Sequence, residues 1–177
     1  PNGVLLIGLH GATQRGSIMS RTTDFHLLEE AKGITFIYPD AVNGLWRDGR
    51  SVGDEIDDIG FIEALIEQVV DEYGLNAEKV FLVGASNGGF LSQRLICELP
   101  DTFAAVATII ATMGLGIYRA CFIDEVPSIY LIAGTADPVI PFAGGDTPNS
   151  LLDDPYAPIL GFKELVDHWQ NNGHYSE

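Results

Sequence analysis

Five short apolar runs punctuate the chain, at residues 4–9, 34–38, 80–83, 104–110 and 129–133, each rich in β-branched or aromatic residues. Continuous runs of that length suit strands buried on both faces, the condition of a parallel sheet. Between them the period changes. Residues 58–73 place Ile59, Ile62, Ile66, Val69 and Tyr73 at steps of three and four, with Glu63, Glu67 and Asp71 on another face. That spacing predicts an amphipathic helix with Asp57 or Asp58 as its N-cap. Residues 24–31, 87–99 and 159–170 read as three further helices. The resulting order, β-α-β-α-β-α-β-loop-β-α, predicts a doubly wound α/β fold with a mostly parallel sheet and right-handed crossovers.

Three polar or Gly/Pro-rich stretches, 11–20, 39–53 and 138–158, each follow a predicted strand. They therefore fall on the C-terminal edge of the sheet, where open α/β folds place their ligand crevice. The last is long for a structureless connection, so function or packing is expected to order it. With 177 residues, 46% of them hydrophobic, and no repeat or linker, residues 1–177 are expected to form a single domain.

Charge narrows the partners. Twenty-five acidic residues against nine basic ones give a formal net charge of −16, which disfavours nucleic acid and anionic membranes. The apolar stretch 103–118 is interrupted by Gly and Thr and is shorter than the ~20 residues of a membrane-spanning helix, and no leader peptide is visible. Cys97 and Cys121 match neither a C-x-x-C nor a metal spacing, so they are two reduced core residues or one disulfide.

Chemistry enters at Gly84-Ala85-Ser86-Asn87-Gly88, between a predicted strand and a predicted helix. A nucleophile elbow requires that setting. The chain must turn sharply at the serine while strand and helix pass close together, so side chains at 84 and 88 would collide. The alternative, a phosphate-binding glycine loop, lacks the following Lys. Asn87 N–H, at the helix N-terminus, is the first expected oxyanion donor. The second is expected from the loop after the first strand, with Ala12 ahead of Thr13, while His10 shapes that loop.

Asp137 follows a later strand, in the chain order that serine hydrolases of this kind use for the triad acid, although an Asp before Pro also suits a plain turn. The base is harder to place. Of four histidines only His168 and His174 follow Asp137. His168 lies within a predicted helix and reads as a packing residue. His174 is the weaker candidate base, since no strand carries it back to the active edge. The base is expected beyond Glu177, with this chain a C-terminally truncated piece, and its start also open to trimming.

The segments LHGATQ (9–14), YPDAVNGLWRDGR (38–50), DDIGFIEALI (57–66), VFLVGASNGGF (80–90) and GTADPVIPF (134–142) resemble the α/β-hydrolase esterases that include polyhydroxybutyrate depolymerases and feruloyl or acetylxylan esterases. The resemblance implies an α/β-hydrolase fold lacking its C-terminal strand, with Ser86 as nucleophile, Asp137 as triad acid, and a histidine past the last strand. It implies a serine esterase working through an acyl-enzyme, with no metal or cofactor and an ester substrate: a polyester, a feruloylated or acetylated polysaccharide, or a small ester. Secretion is implied too, which adds to the case for a Cys97–Cys121 bridge in an oxidising compartment. Trp46 and Asp48 fall in the family's signature around the cleft; Trp46 could stack on substrate, or pack the loop onto the sheet. Relatives often carry a cysteine where this chain has Ala12, and another after Asn-Gly where it has His174. Two competing expectations stand beside the esterase: a binding module that kept the elbow but lost turnover, and a serine peptidase or acyltransferase on the same scaffold.

Overall fold

The computed structural model describes residues 3–28, 33–50, 55–148 and 156–172. Five strands, β1 (Val4–Leu9), β2 (Ile34–Ile37), β3 (Val80–Ala85), β4 (Ala105–Ile109) and β5 (Ser128–Ile132), form one all-parallel sheet in the order β2-β1-β3-β4-β5. Among the described residues nothing pairs beyond β5. The helices are α1 (Gly16–Thr23), α2 (Asp58–Tyr73), α3 (Asn87–Glu98), α4 (Leu115–Ala120) and α5 (Phe162–Asn172).

Strand register separates the sheet into two faces with different fates. Leu5, Val80 and Ile7, Leu82, Val106, Ile129 line up across the strands on one face. They share a core with Ile59, Ile62, Ile66 and Val69 of α2, Leu91, Leu95 and Ile96 of α3, and Leu165 and Trp169 of α5. Crossovers from β2 to β3 and β3 to β4 advance in one direction, so right-handedness puts their helices on this side. The crossover from β1 to β2 runs the other way. Its helix α1 lies on the opposite face, where Met19 and Tyr38 lie against Gly8 and Phe25 stacks on Phe36. Beyond α1 no described residue covers that second face fully: Phe81, Val83 and Ala107 are half-buried, and Tyr130 and Ile132 are exposed.

Two expected elements shift. The helix placed at 24–31 is α1, eight residues earlier, followed by a 3-10 turn at Phe25–Leu28; residues 29–31 lie outside the described residues. Asp24 ends this helix rather than starting it. It sits at φ 50° and its N–H returns to Ser20 O at 3.0 Å, the left-handed stop that Asp tolerates. The helix placed at 159–170 begins at Phe162, because Ile159 closes an antiparallel hairpin of β6 (Gly145–Pro148) and β7 (Tyr156–Ile159). That hairpin and α4 had no separate signal. Leu160 N–H donates to Met113 O at 2.9 Å, tying the far end of the 138–158 stretch to the segment after β4.

Helix α2 follows its prediction. Asp57 accepts from Gly60 N–H at 2.9 Å as N-cap, and Gly74 at φ 59° ends it. Cys97 and Cys121 form a disulfide joining α3 to the end of α4.

Candidate active site

Order reverses between β1 and β3: the helix after β1 leaves on one face and the helix after β3 on the other. The crevice of a doubly wound sheet opens at that point, at the C-terminal ends of the strands. Ser86 stands there, between β3 and α3, with φ 52° and ψ −121°. A non-glycine residue in that region is strained, and the surroundings must hold it. Ser86 N–H donates to Ile109 O at 2.9 Å and Ser86 O accepts from Phe90 N–H at 2.9 Å, so both its peptide groups are committed. The hydroxyl remains on a half-buried residue at the rim.

The glycines flanking Ser86 follow the steric argument. A Cβ on Gly84 would run into the Gly88 carbonyl and the Ser92 hydroxyl; one on Gly88 would stand 2.5 Å from Leu9 O and 2.6 Å from His10 O. Helix α3 thus rests directly on the ends of β1 and β3. Across the crevice, a Cβ on Gly11 would be 3.5 Å from Ser86 Cβ, so the loop after β1 touches the elbow.

Asn87 N–H is the first of α3, a position without an intrahelical partner, and neither it nor Ala12 N–H makes a hydrogen bond among the described residues. Thr13, the alternative donor, has spent its N–H on Gly44 O at 2.8 Å. Asp137 lies past β5, two strands from β3, or about 10 Å across the sheet. Its Oδ1 accepts from Val139 N–H at 2.8 Å and Ile140 N–H at 2.9 Å, the turn expected of an Asp before Pro. Oδ2 has no partner among the described residues.

The two histidines with described side chains are engaged in other contacts. His10 is fully buried; Ala41 N–H donates to its Nε2 at 3.0 Å, so Nδ1 carries the proton and donates to Gly11 O at 2.8 Å. It shapes the loop. His168 packs edge-on against Tyr118, and burial lowers its pKa. His26 belongs to the 3-10 turn after α1, and His174 lies outside the described residues.

Trp46 requires a correction. It has no exposed surface and cannot stack on a substrate. Its indole Nε1–H donates to His10 O at 3.1 Å, its backbone N–H donates to Asn87 Oδ1 at 2.8 Å, and Asn87 Nδ2–H donates back to Trp46 O at 3.0 Å. Asn87 Nδ2–H also donates to Asp48 Oδ2 at 2.7 Å, where Arg50 forms a buried ion pair at 2.6 Å and lays its guanidinium 3.8 Å from the Phe90 ring centre. Asp58, read as a cap, is instead buried and accepts from Arg47 N–H at 2.6 Å; burial raises its pKa. Sequence reasoning missed this network, because Asn87 was read for its N–H alone and its side-chain partners lie 39 and 41 positions away.

The sequence profile described as esterase PHB depolymerase matches residues 2–129. The chain belongs to that family. Among relatives of this esterase-family chain, the putative esterase NocK of Nocardia uniformis subsp. tsuyamanensis is 27% identical over 92% of the chain and 49% of its own length. The probable feruloyl esterase C of Aspergillus niger is 31% identical over 80% of the chain and 51% of its own. The bifunctional acetylxylan esterase/xylanase XynS20E of Neocallimastix patriciarum is 26% identical over 79% of the chain and 20% of its own. The chain thus spans about half the length of the first two. In fold it is similar to a thermostable esterase, with TM-score 0.70 at 18% identity over 97% of the chain and 44% of that structure. It is also similar to the Bacillus cereus carboxylesterase, with TM-score 0.65 at 18% identity over 97% and 74%. Both likenesses, with the parallel sheet, give the esterase-family chain an α/β-hydrolase fold.

Proposed function

We propose that this chain carries the nucleophile side of a serine carboxylic-ester hydrolase. The observation that carries the reading is the strained Ser86 at the strand-to-helix turn, with the unspent Asn87 N–H beside it. Ser86 Oγ attacks the ester carbonyl, and its proton passes to a histidine. The tetrahedral oxyanion rests on Asn87 N–H and Ala12 N–H, the alcohol leaves, and water resolves the acyl-enzyme. The open Oδ2 of Asp137 orients the histidine and stabilises its charged form. Both His10 ring nitrogens are occupied, which supports a base outside the described residues.

Names among the relatives support feruloyl or acetylxylan esters as the substrate class. No helix among the described residues is long and apolar enough to cross a membrane, and the Cys97–Cys121 bridge supports an oxidising, extracellular setting.

The test is labelling by a fluorophosphonate probe together with hydrolysis of p-nitrophenyl acetate, methyl ferulate and acetylated xylan. Labelling confined to Ser86, absent in Ser86→Ala, is expected. Where the base is present, Ser86→Ala should lower turnover by a factor of about 10⁶. A native chain that neither labels nor hydrolyses would favour a binding module.

A further inference from the structure

The two N–H groups assigned to the oxyanion come from chain segments about 75 residues apart, Ala12 after β1 and Asn87 after β3. A donor pair is useful only if its geometry is fixed before the charge develops, because reorganisation during the reaction forfeits the stabilisation. Strand pairing stops at Leu9 and Gly84, short of both donors. Backbone packing of Gly88 on the Leu9 and His10 carbonyls brings the two segments together, and side-chain bonds add direction to that contact.

Trp46 bonds to both sides. Its indole N–H holds His10 O, two residues before Ala12, while its backbone N–H and C=O are both taken by the Asn87 side-chain amide. The His10 ring lies 5.0 Å from the indole, centre to centre, and donates its Nδ1–H to Gly11 O. On the other side, the Asn87 amide cannot flip without losing Trp46 N–H, Trp46 O and the Asp48 carboxylate together. Asp48 is in turn held by Arg50, whose N–H and guanidinium both reach it. Trp46, Asn87 and Asp48 are each no more than 2% exposed, so water does not compete for these bonds.

We propose that Trp46 is a positioning residue: a brace that fixes the Ala12 and Asn87 N–H groups relative to each other, with Asp48 locking the Asn87 end. This rests on the esterase reading of those two donors.

The test is ¹⁵N relaxation on the labelled chain in wild type, Trp46→Phe and Asp48→Asn. Trp46→Phe keeps an aromatic ring but deletes the bond to His10 O. Backbone order parameters at Gly11 and Ala12 are expected to fall from about 0.85 to below about 0.6, while Leu82 and Val106 in the sheet stay unchanged. Asp48→Asn should loosen Asn87 and leave Ala12 ordered, and it carries the test if Trp46→Phe does not fold. Unchanged order at the donors in a folded variant, or loosening spread evenly through the sheet, overturns the brace. A second arm measures p-nitrophenyl acetate turnover: Trp46→Phe is expected to lower kcat about tenfold with KM within about twofold. A fall in KM-dependent binding alone would count against the proposal. If a wild-type form that carries the base shows neither labelling nor turnover, the esterase reading is what fails, and the relaxation data still decide the brace.

Discussion

Trp46 and Asn87 exchange a reciprocal pair of hydrogen bonds, 2.8 Å from backbone N–H to side-chain oxygen and 3.0 Å from side-chain amide to backbone carbonyl. A side-chain amide thereby pairs with one residue's backbone much as a neighbouring strand would. The loop after β2 and the first residue of α3 become one unit. Asn87→Ala leaves Trp46 N–H buried without a partner, while Trp46 O keeps the Asp48 N–H at 3.1 Å, and one such orphaned group costs about 1–3 kcal/mol. The expected loss is about 2 kcal/mol by urea unfolding, and a loss below about 1 kcal/mol would show that the pair contributes little.

Backbone contact at the elbow separates two glycines that look alike in sequence. Gly88→Ala drives a methyl group against the Leu9 and His10 carbonyls, neither of which can rotate away. It should destabilise by more than about 2 kcal/mol, since overpacking typically costs about 1–3 kcal/mol and here the neighbours are backbone. Among the described residues a Cβ on Gly116 in α4 would meet only Gly49 O at 3.8 Å, so Gly116→Ala should stabilise by about 0.5–1 kcal/mol. Equal effects in a thermal melt would contradict the contact argument.

The Cys97–Cys121 bridge spans 24 positions and joins α3, which carries the elbow at its other end, to α4. Closing a loop of that size stabilises by about 3 kcal/mol. Reduction, or the double change to serine, should lower the urea midpoint correspondingly while Ser86 labelling persists under native conditions. Loss of labelling at temperatures where the chain stays folded would mean the bridge shapes the elbow itself.

His168 gives a pH signature with a definite sign. Burial lowers its pKa below the ordinary 6.5, so the folded chain binds this proton less readily than the unfolded one. Stability from this residue is complete above pH 6.5 and declines as the pH falls through the folded pKa. In His168→Gln the decline between pH 7 and 5 should be shallower. An NMR titration midpoint at or above 6.5 would remove the premise.

Much of the scaffold could be read in advance because its causes are local. Continuous apolar runs such as Leu5–Leu9 and the Ile59, Ile62, Ile66 spacing require burial wherever they land, and Gly84 and Gly88 are demanded by the turn at Ser86 itself. Helix α1 was displaced because its stabilisation is not in its composition: Gly16 N–H is anchored by Asp40 at 2.6 Å from 24 positions away, and Gly16 packs on the Tyr38 carbonyl. Trp46 was left between stacking on substrate and packing its loop for a related reason. An aromatic in a polar loop looks available to a ligand until the carbonyl of His10 and the amide of Asn87 are known to claim its polar groups. The elbow was legible from its own residues, whereas the parts that hold it come from three separate segments.

The chain contains two tryptophans, and each has a histidine against its ring: Trp46 with His10 at 5.0 Å and Trp169 with His168 at 4.7 Å. His10 spends both ring nitrogens, accepting from Ala41 N–H and donating to Gly11 O, whereas burial lowers the pKa of His168. Both indoles are buried, so both emit at short wavelength, and the difference between wild type and Trp46→Phe isolates the one beside the elbow. The elbow carries its own optical label, readable without attaching a dye.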